Sequence, residues 1–271
     1  MKPFLFLKNS LLLQHEIIKN SIVMQRFTKA IAAIMLMIVV GCSKSDNSDS
    51  VVENSDNSDS VVENNGGGHY DGNYEYVDLD LPSGTLWATF NVGANVPWEY
   101  GDYFAWGEVK PKEVYDWNTY KYCNGSYTTL TKYCTDSTYG YNGYSDSLNT
   151  LLAPDDAATV NWGSEWRTPT EEEWEELMSN CIQTWTQQNG VNGFLLTATN
   201  GQSIFLPAAG YRVGNSFDNA GVHGQYWSSR INLTFTNSAY DFHFYSGGSE
   251  LYLFYRYLGR SIRGVRSTSL N

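Results

Sequence analysis

Basic residues are scarce in this chain. Across 271 residues, 17 lysines and arginines stand against 29 acids, a formal net charge of −12. Phosphate recognition needs a basic footprint, so nucleic acid is excluded as a partner class. Histidine is nearly as sparse: His15, His69, His223 and His243 are scattered. They make neither a metal-ligand spacing nor a nucleophile–base pair legible in sequence. No glycine-rich phosphate loop follows a strand, because Gly66-Gly67-Gly68 belongs to a polar run. Cysteines number four. Setting Cys42 aside, Cys123, Cys134 and Cys181 form an odd set and not a complete disulfide framework. Cys123 and Cys134 could bridge across a loop in an oxidising compartment, and spacing alone leaves that open. Cys181 reads as a buried core thiol. No cofactor or metal is called for by any of these spacings, and no catalytic residue is assigned.

Aromatic side chains are abundant, at 15% with 20 Tyr, 12 Phe and 9 Trp, alongside 24 Gly. That mixture suits a strand- and loop-rich globular fold better than a helical bundle or a disordered chain. Residues 24–42 carry a targeting signature. Arg26 and Lys29 form a charged head, and Ala30 to Val40 an apolar run too short to span a bilayer comfortably. Val39-Val40-Gly41-Cys42 resembles the lipobox of bacterial lipoproteins, whose cysteine is acylated and becomes the mature N-terminus. Cys42 is therefore the expected lipidation (palmitate) site, with residues 24–41 as signal peptide, Met24 as start and residues 1–23 as an upstream extension. Cleavage there removes Lys2, Lys8, Lys19, Arg26 and Lys29 but only one acid, Glu16, so the mature chain is more acidic still. Several acyl chains give stable anchoring, since each buried methylene adds roughly 0.8 kcal/mol. The chain is expected to be anchored to a membrane without spanning it.

Residues 42–73 read as an acidic tether. Ser-Asp-Asn-Ser-Asp-Ser-Val-Val-Glu-Asn occurs twice in tandem, at 45–54 and 55–64. So few apolar residues cannot bury a core, and the segment should stay hydrated, with a root-mean-square reach of about 30 Å. Ser43-Lys44-Ser45-Asp46 resembles the segment that sends some Bacteroidetes-type lipoproteins to the cell surface. Asp49-Ser50-Val51 and Asp59-Ser60-Val61 resemble O-glycosylation sites of the same group. Together these imply an outer-membrane, surface-exposed lipoprotein.

A globular domain is expected over 74–271. Strands flank the Pro82-Ser83-Gly84 turn, and Thr170 to Cys181 reads as its clearest helix. Thr170 and Glu173 have capping-box spacing, Glu171 to Glu173 suit the helix dipole, and Trp174, Leu177, Met178 and Cys181 form one apolar stripe. Residues 115–147 show no period and hold eight tyrosines, which serve loop packing and adaptable binding surfaces equally well. A hairpin is expected around Asn200-Gly201, a short strand at 224–229 and a last strand over 261–266. Between them Tyr240 to Ser246 alternates, with Tyr240, Phe242 and Phe244 on one face and Asp241, His243 and Tyr245 on the other; Glu250 to Arg256 returns beside it. Arg256, Arg260, Arg263 and Arg266 read as partners for the domain's carboxylates.

In chain order come Val-Asp-Leu-x-Leu-Pro-Ser-Gly-Thr-Leu-Trp-Ala-Thr (77–89), Gly-Asp-Tyr-Phe-Ala-Trp-Gly-Glu (101–108) and Asp-Asp-Ala-Ala (155–158). Trp-Arg-Thr-Pro-Thr (166–170), Ile-Phe-Leu-Pro-Ala-Ala-Gly-Tyr-Arg (204–212), Tyr-Trp-Ser-Ser (226–229) and Gly-Arg-Ser-Ile-Arg (259–263) follow. This series resembles the Fibrobacter succinogenes major paralogous domain. The resemblance implies an α+β, C-type-lectin-like fold, with short twisted antiparallel sheets, one or two helices and long irregular loops. That fold is shared with formylglycine-generating enzymes and with diversity-generating retroelement proteins, so function must come from the site.

Three activities follow as alternatives. Arg167-Thr-Pro-Thr-Glu-Glu-Glu-Trp174 resembles the formylglycine-generating signature, but no cysteine lies beyond Cys181 to supply the thiolate or bind copper. A calcium lectin would need carboxylate and amide clusters, and its Glu-Pro-Asn, Gln-Pro-Asp and Trp-Asn-Asp motifs are absent. Asp155 and Asp156 fit a capping role more simply. The favoured reading is a non-catalytic, metal-free module that recognises a protein or glycan through its C-terminal hairpin. Arg230, Asn232, Asp241, His243, Tyr245, Tyr252 and Phe254 are its expected ligand-binding residues, since tyrosine gives contact area at low entropy loss and polar groups give direction. The same stretch resembles the variable region of retroelement-diversified proteins. A structural envelope component with no discrete site is the remaining alternative.

Overall fold

The computed structural model describes residues 69–70 and 73–268. The lipobox with Cys42 and the tandem repeat lie outside the described residues. Among those described, the chain is mostly antiparallel sheet with two α-helices, an α+β class with few helices. The first sheet orders β1 (His69–Tyr70), β2 (Glu75–Asp78), β3 (Thr85–Asn91) and β12 (Arg263–Ser267) side by side. The last strand thus returns to pair with β3 near the start of the domain. His69 lies opposite Tyr76, so residues ahead of Tyr74 add a short strand at the edge of this sheet.

A second sheet joins β4 (Cys181–Gln188), β5 (Val191–Ala198) and β6 (Ser203–Pro207). A small ribbon pairs β7 (Tyr211–Val213) with β8 (Ser216–Asp218). The third sheet holds β9 (His223–Ile231), β10 (Ser238–Tyr245) and β11 (Gly248–Tyr255), with β10 in the middle. The helices are α1 (Ala157–Trp162) and α2 (Glu171–Asn180).

Helix α2 starts where its capping box dictates. Thr170 Oγ1 accepts from the Glu173 amide at 3.3 Å, and Glu173 Oε2 accepts from the Thr170 amide at 2.9 Å. Arg167 donates to both Glu173 oxygens at 2.6 and 2.5 Å, and Thr85 of β3 adds a third bond. Trp174 is fully buried, stacked on Phe242 at 4.7 Å and tilted against Trp87 at 4.8 Å. One side chain therefore ties the first sheet to the third. Cys181, expected as the end of the helical stripe, instead opens β4. Asn180 ends the helix, and the Ile-Gln-Thr-Trp-Thr that follows Cys181 switches to the period of a strand.

The long segment 115–147 is irregular but not loose. Tyr115, Tyr120, Tyr122 and Tyr133 are buried, while Tyr127, Tyr141 and Tyr144 are exposed. Arg256 pins it from inside, donating to Tyr120 Oη at 2.8 Å and to the carbonyls of Tyr133, Thr236 and Lys132 at 2.7, 2.8 and 3.0 Å. Arg263 does the same for β3 and β6 through Asn91, the Ala88 carbonyl and the Phe205 carbonyl. Both guanidiniums are fully buried and satisfied by carbonyl and side-chain oxygens other than carboxylates, contrary to the expected carboxylate pairing. Buried carbonyls left over by irregular backbone need donors, and arginine supplies five in a rigid fork.

Asp156 caps α1, accepting from the Ala158 and Thr159 amides, and also accepts from Thr168. Asp155 accepts from Tyr133, Tyr122 and Lys132. These are structural jobs, in line with the capping role expected of the pair. Cys123 and Cys134 are free thiols, directed at the Trp117 and Asp136 carbonyls; the possible bridge between them is not formed.

Candidate functional site

The site is built on one face of the third sheet. Antiparallel register places Asp241 opposite Trp227 and Tyr252, His243 opposite Gln225 and Glu250, and Tyr245 opposite His223 and Gly248. Side chains opposite one another share a face. The other face of β10 carries Phe242 and Phe244, both fully buried against Trp174, Phe194 and Tyr226. The alternation expected along β10 is therefore the one observed.

What covers the polar face differs from expectation. Around Asp241 and Gln225 it is buried, whereas Tyr245 remains exposed. This face floors a cleft of about 430 Å³, roofed by Tyr211 and Val213 of β7 and by Tyr257, Leu258 and Arg260 from the segment after β11. That segment is clamped on three sides. Arg212 and Gly259 exchange backbone bonds at 2.8 and 3.0 Å, and Phe104 and Arg260 do so at 2.9 and 3.0 Å; the Ser261 carbonyl accepts from Trp227 at 3.2 Å. A side chain at Gly259 would stand 2.5 Å from the Tyr115 ring, so only glycine lets the segment come this close.

Arg260 is a fully buried member of the lining. Its guanidinium carbon lies 4.0 Å from the centre of the Phe254 ring, 5.1 Å from Trp227 and 5.3 Å from Tyr211. Nε lies 2.9 Å from Asp241 Oδ2, with both side chains wholly buried. The contact is an ion pair without hydrogen-bond alignment, and Nη1 and Nη2 have no hydrogen-bond partner among the described residues. The amide oxygen of Gln225, which also lines the cleft, is likewise buried and unpartnered. Burial pushes the Asp241 carboxyl up to about 7 against the pull of Arg260, and lowers the Arg260 guanidinium against the pull of Asp241. Desolvation outweighs mutual attraction on both partners.

Two histidines line the cleft beside them. His223 Nδ1 and His243 Nε2 share a hydrogen bond of 2.7 Å, with rings stacked 5.0 Å apart. Desolvation, followed by the charges of His223 and Arg260, pulls His243 down to about 4, and desolvation lowers His223. Burial thus favours the neutral form of both rings. Among the described residues no cluster of three or more His, Cys, Asp or Glu is placed to hold a metal ion.

Of the residues singled out from sequence, His243 and Phe254 line the cleft. Asp241, expected at the surface, is fully buried against Arg260 and is not an exposed contact. Tyr245 is exposed on the rim, 5.7 Å from the His223 ring, and Tyr252 flanks Phe254 at 5.2 Å. Arg230 and Asn232 lie elsewhere. Arg230 pairs with Glu171 and Glu172 at the start of α2, at 3.1 and 2.5 Å. Asn232 accepts from the Thr234 and Phe235 amides and donates to Tyr240, closing a turn. Sequence reasoning missed His223, Gln225 and Tyr211 as lining residues. Strand β9 begins one residue ahead of the expected strand, and continuing its alternation back from Trp227 reaches Gln225 and His223. Nothing local marks Tyr211, which arrives from a separate segment.

No family model, curated protein or solved structure matches the chain.

Proposed function

We propose that this chain is a lipid-anchored, cell-surface lipoprotein of the outer membrane whose domain is a C-type-lectin-like, non-catalytic binding module. The ligand, a protein or glycan, is held in the cleft over β9, β10 and β11. The observation that carries the binding reading is Arg260: a buried guanidinium with unpartnered terminal nitrogens, lining an aromatic-walled cleft of ligand size. The anchor rests on the lipobox, and the lectin-like fold rests on the motif series from Val77 to Arg263.

Thiol chemistry favours binding over the formylglycine-generating alternative. Desolvation raises the Cys123 and Cys134 thiols and pushes Cys181 up to about 11, away from the reactive thiolate that such an oxidase needs. No thiol lies in the cleft.

The test is capture on an array of glycans and surface proteins by the full chain carrying Cys42→Ala, with and without His243→Ala or Tyr257→Ser. Both replacements open the cleft's lining. The expected result is capture by the parent protein and loss of it in both variants, with unchanged near-ultraviolet circular dichroism. Capture that persists in both would remove the cleft from the proposal.

A further inference from the structure

We infer that the cleft takes a sugar ring bearing a carboxylate, its carboxylate on the Nη1 and Nη2 edge of Arg260 and a neighbouring hydroxyl donating to Gln225. This rests on the binding reading above and names the ligand class for the same site.

The unpartnered polar groups of the lining specify the complement. Arg260 offers donors on two terminal nitrogens, and Gln225 offers one acceptor, all buried and unpartnered among the described residues. Charged donors buried without acceptors are disfavoured, so the arrangement is completed by a group with two acceptor atoms in a plane. A carboxylate meets a guanidinium edge in that way. Asp241 already neutralises Arg260 from the Nε side at 2.9 Å. That second negative charge makes a dianion such as phosphate a poor occupant and leaves a monoanion as the better match. The guanidinium itself cannot slide away to solvent, since Gly259, Arg260 and Ser261 are all held by backbone bonds.

The walls distinguish a sugar from the C-terminus of a peptide. Tyr211, Phe254 and Tyr257 contribute aromatic surface to the lining, and Gln225 and Arg260 contribute polar groups. Aromatic sides suit the C–H faces of a pyranose, and the Gln225 oxygen suits a hydroxyl, which gives as well as accepts. A peptide C-terminus brings a side chain that needs its own apolar recess, and the aliphatic lining here is confined to Val213 and Leu258.

The experiment is calorimetric titration of the full chain carrying Cys42→Ala with D-glucuronate, D-glucose and N-acetyl-L-phenylalanine. Glucuronate is expected to bind at least about tenfold more tightly than glucose, a difference of about 1.4 kcal/mol. The double variant Asp241→Asn/Arg260→Gln, which keeps the interior neutral, is expected to erase that preference. Should the double variant fail to fold, Gln225→Leu gives the second reading: both sugars weaken by at least about fivefold while the carboxylate preference survives. Equal affinity for glucose and glucuronate overturns the carboxylate assignment and leaves glycan binding in place. Tighter binding of N-acetyl-L-phenylalanine overturns the sugar in favour of a peptide terminus. If no probe binds while the array still captures a partner, this inference fails alone; if the array is also blank, the binding reading fails with it.

Discussion

Asp241 and His243 stand two residues apart on one strand face, and burial moves them in opposite directions. Asp241 rises to about 7 from an ordinary carboxylate value, while His243 falls to about 4 from an ordinary imidazole value. The stability tied to His243 is fully present above about pH 6.5 and is lost as pH falls through 4. The stability tied to Asp241 has the opposite sign: it is present below about pH 3.8 and is lost as pH rises through 7. Each term is on the order of a few kcal/mol, and between pH 4 and 7 the two oppose each other. Removing either one exposes the other. In His243→Gln the melting temperature is expected to rise, relative to wild type, as pH is lowered from 7 to 4. In Asp241→Asn it is expected to fall more steeply than wild type over the same range, because only the His243 contribution remains. Parallel melting curves for all three proteins across that range would show that neither group titrates as its burial requires.

At the scale of elements, Gly224 decides how closely β9 can lie on its neighbours. A methyl group there would stand 2.0 Å from Cζ of Phe244, whose ring is itself stacked at 4.6 Å on Phe194. Neither ring has room to withdraw, so Gly224→Ala is expected to destabilise the protein by about 1–3 kcal/mol in urea unfolding, with cleft residues His223 and Gln225 displaced alongside. A change within about 0.5 kcal/mol would show that the third sheet is looser than its geometry implies. The elements most legible in sequence were those governed by local rules. Thr170 and Glu173 announce α2, the Pro82-Ser83-Gly84 turn separates β2 from β3, and alternation marks Phe242 and Phe244 as core. Strand β4 was hidden because Cys181 fits the helical stripe as well as it fits a strand. The β7–β8 ribbon was hidden because Tyr211 to Asp218 is too short to show a period. The site was legible only in part for a related reason. His243 and Phe254 lie on the hairpin that sequence pointed to, but Asp241 could not be known to be buried until Arg260 was brought over it from beyond β11. Register decides which residues share a face; the chain's later return decides which face is covered.

At the scale of the whole molecule, the proposed anchor and the cleft make separable demands on the chain. The cleft lies entirely within residues 211–260, whereas membrane attachment falls to Cys42 and the residues around it. One acyl chain gives only marginal, reversible attachment, and stable attachment takes at least two hydrophobic chains or one chain with a polybasic patch. The strongly acidic composition of the chain removes the polybasic option, so the proposed attachment requires multiple acylation of Cys42. Cys42→Ala is therefore expected to abolish labelling by an alkyne palmitate analogue and to move the protein from the membrane to the soluble fraction, without changing its melting temperature. Deleting one copy of the repeat at 45–54 is expected to leave both labelling and partition unchanged, because so acidic a sequence brings no membrane affinity of its own. Membrane retention of the unlabelled Cys42→Ala protein would sink the anchor and shift attention to residues 1–41 as a retained segment.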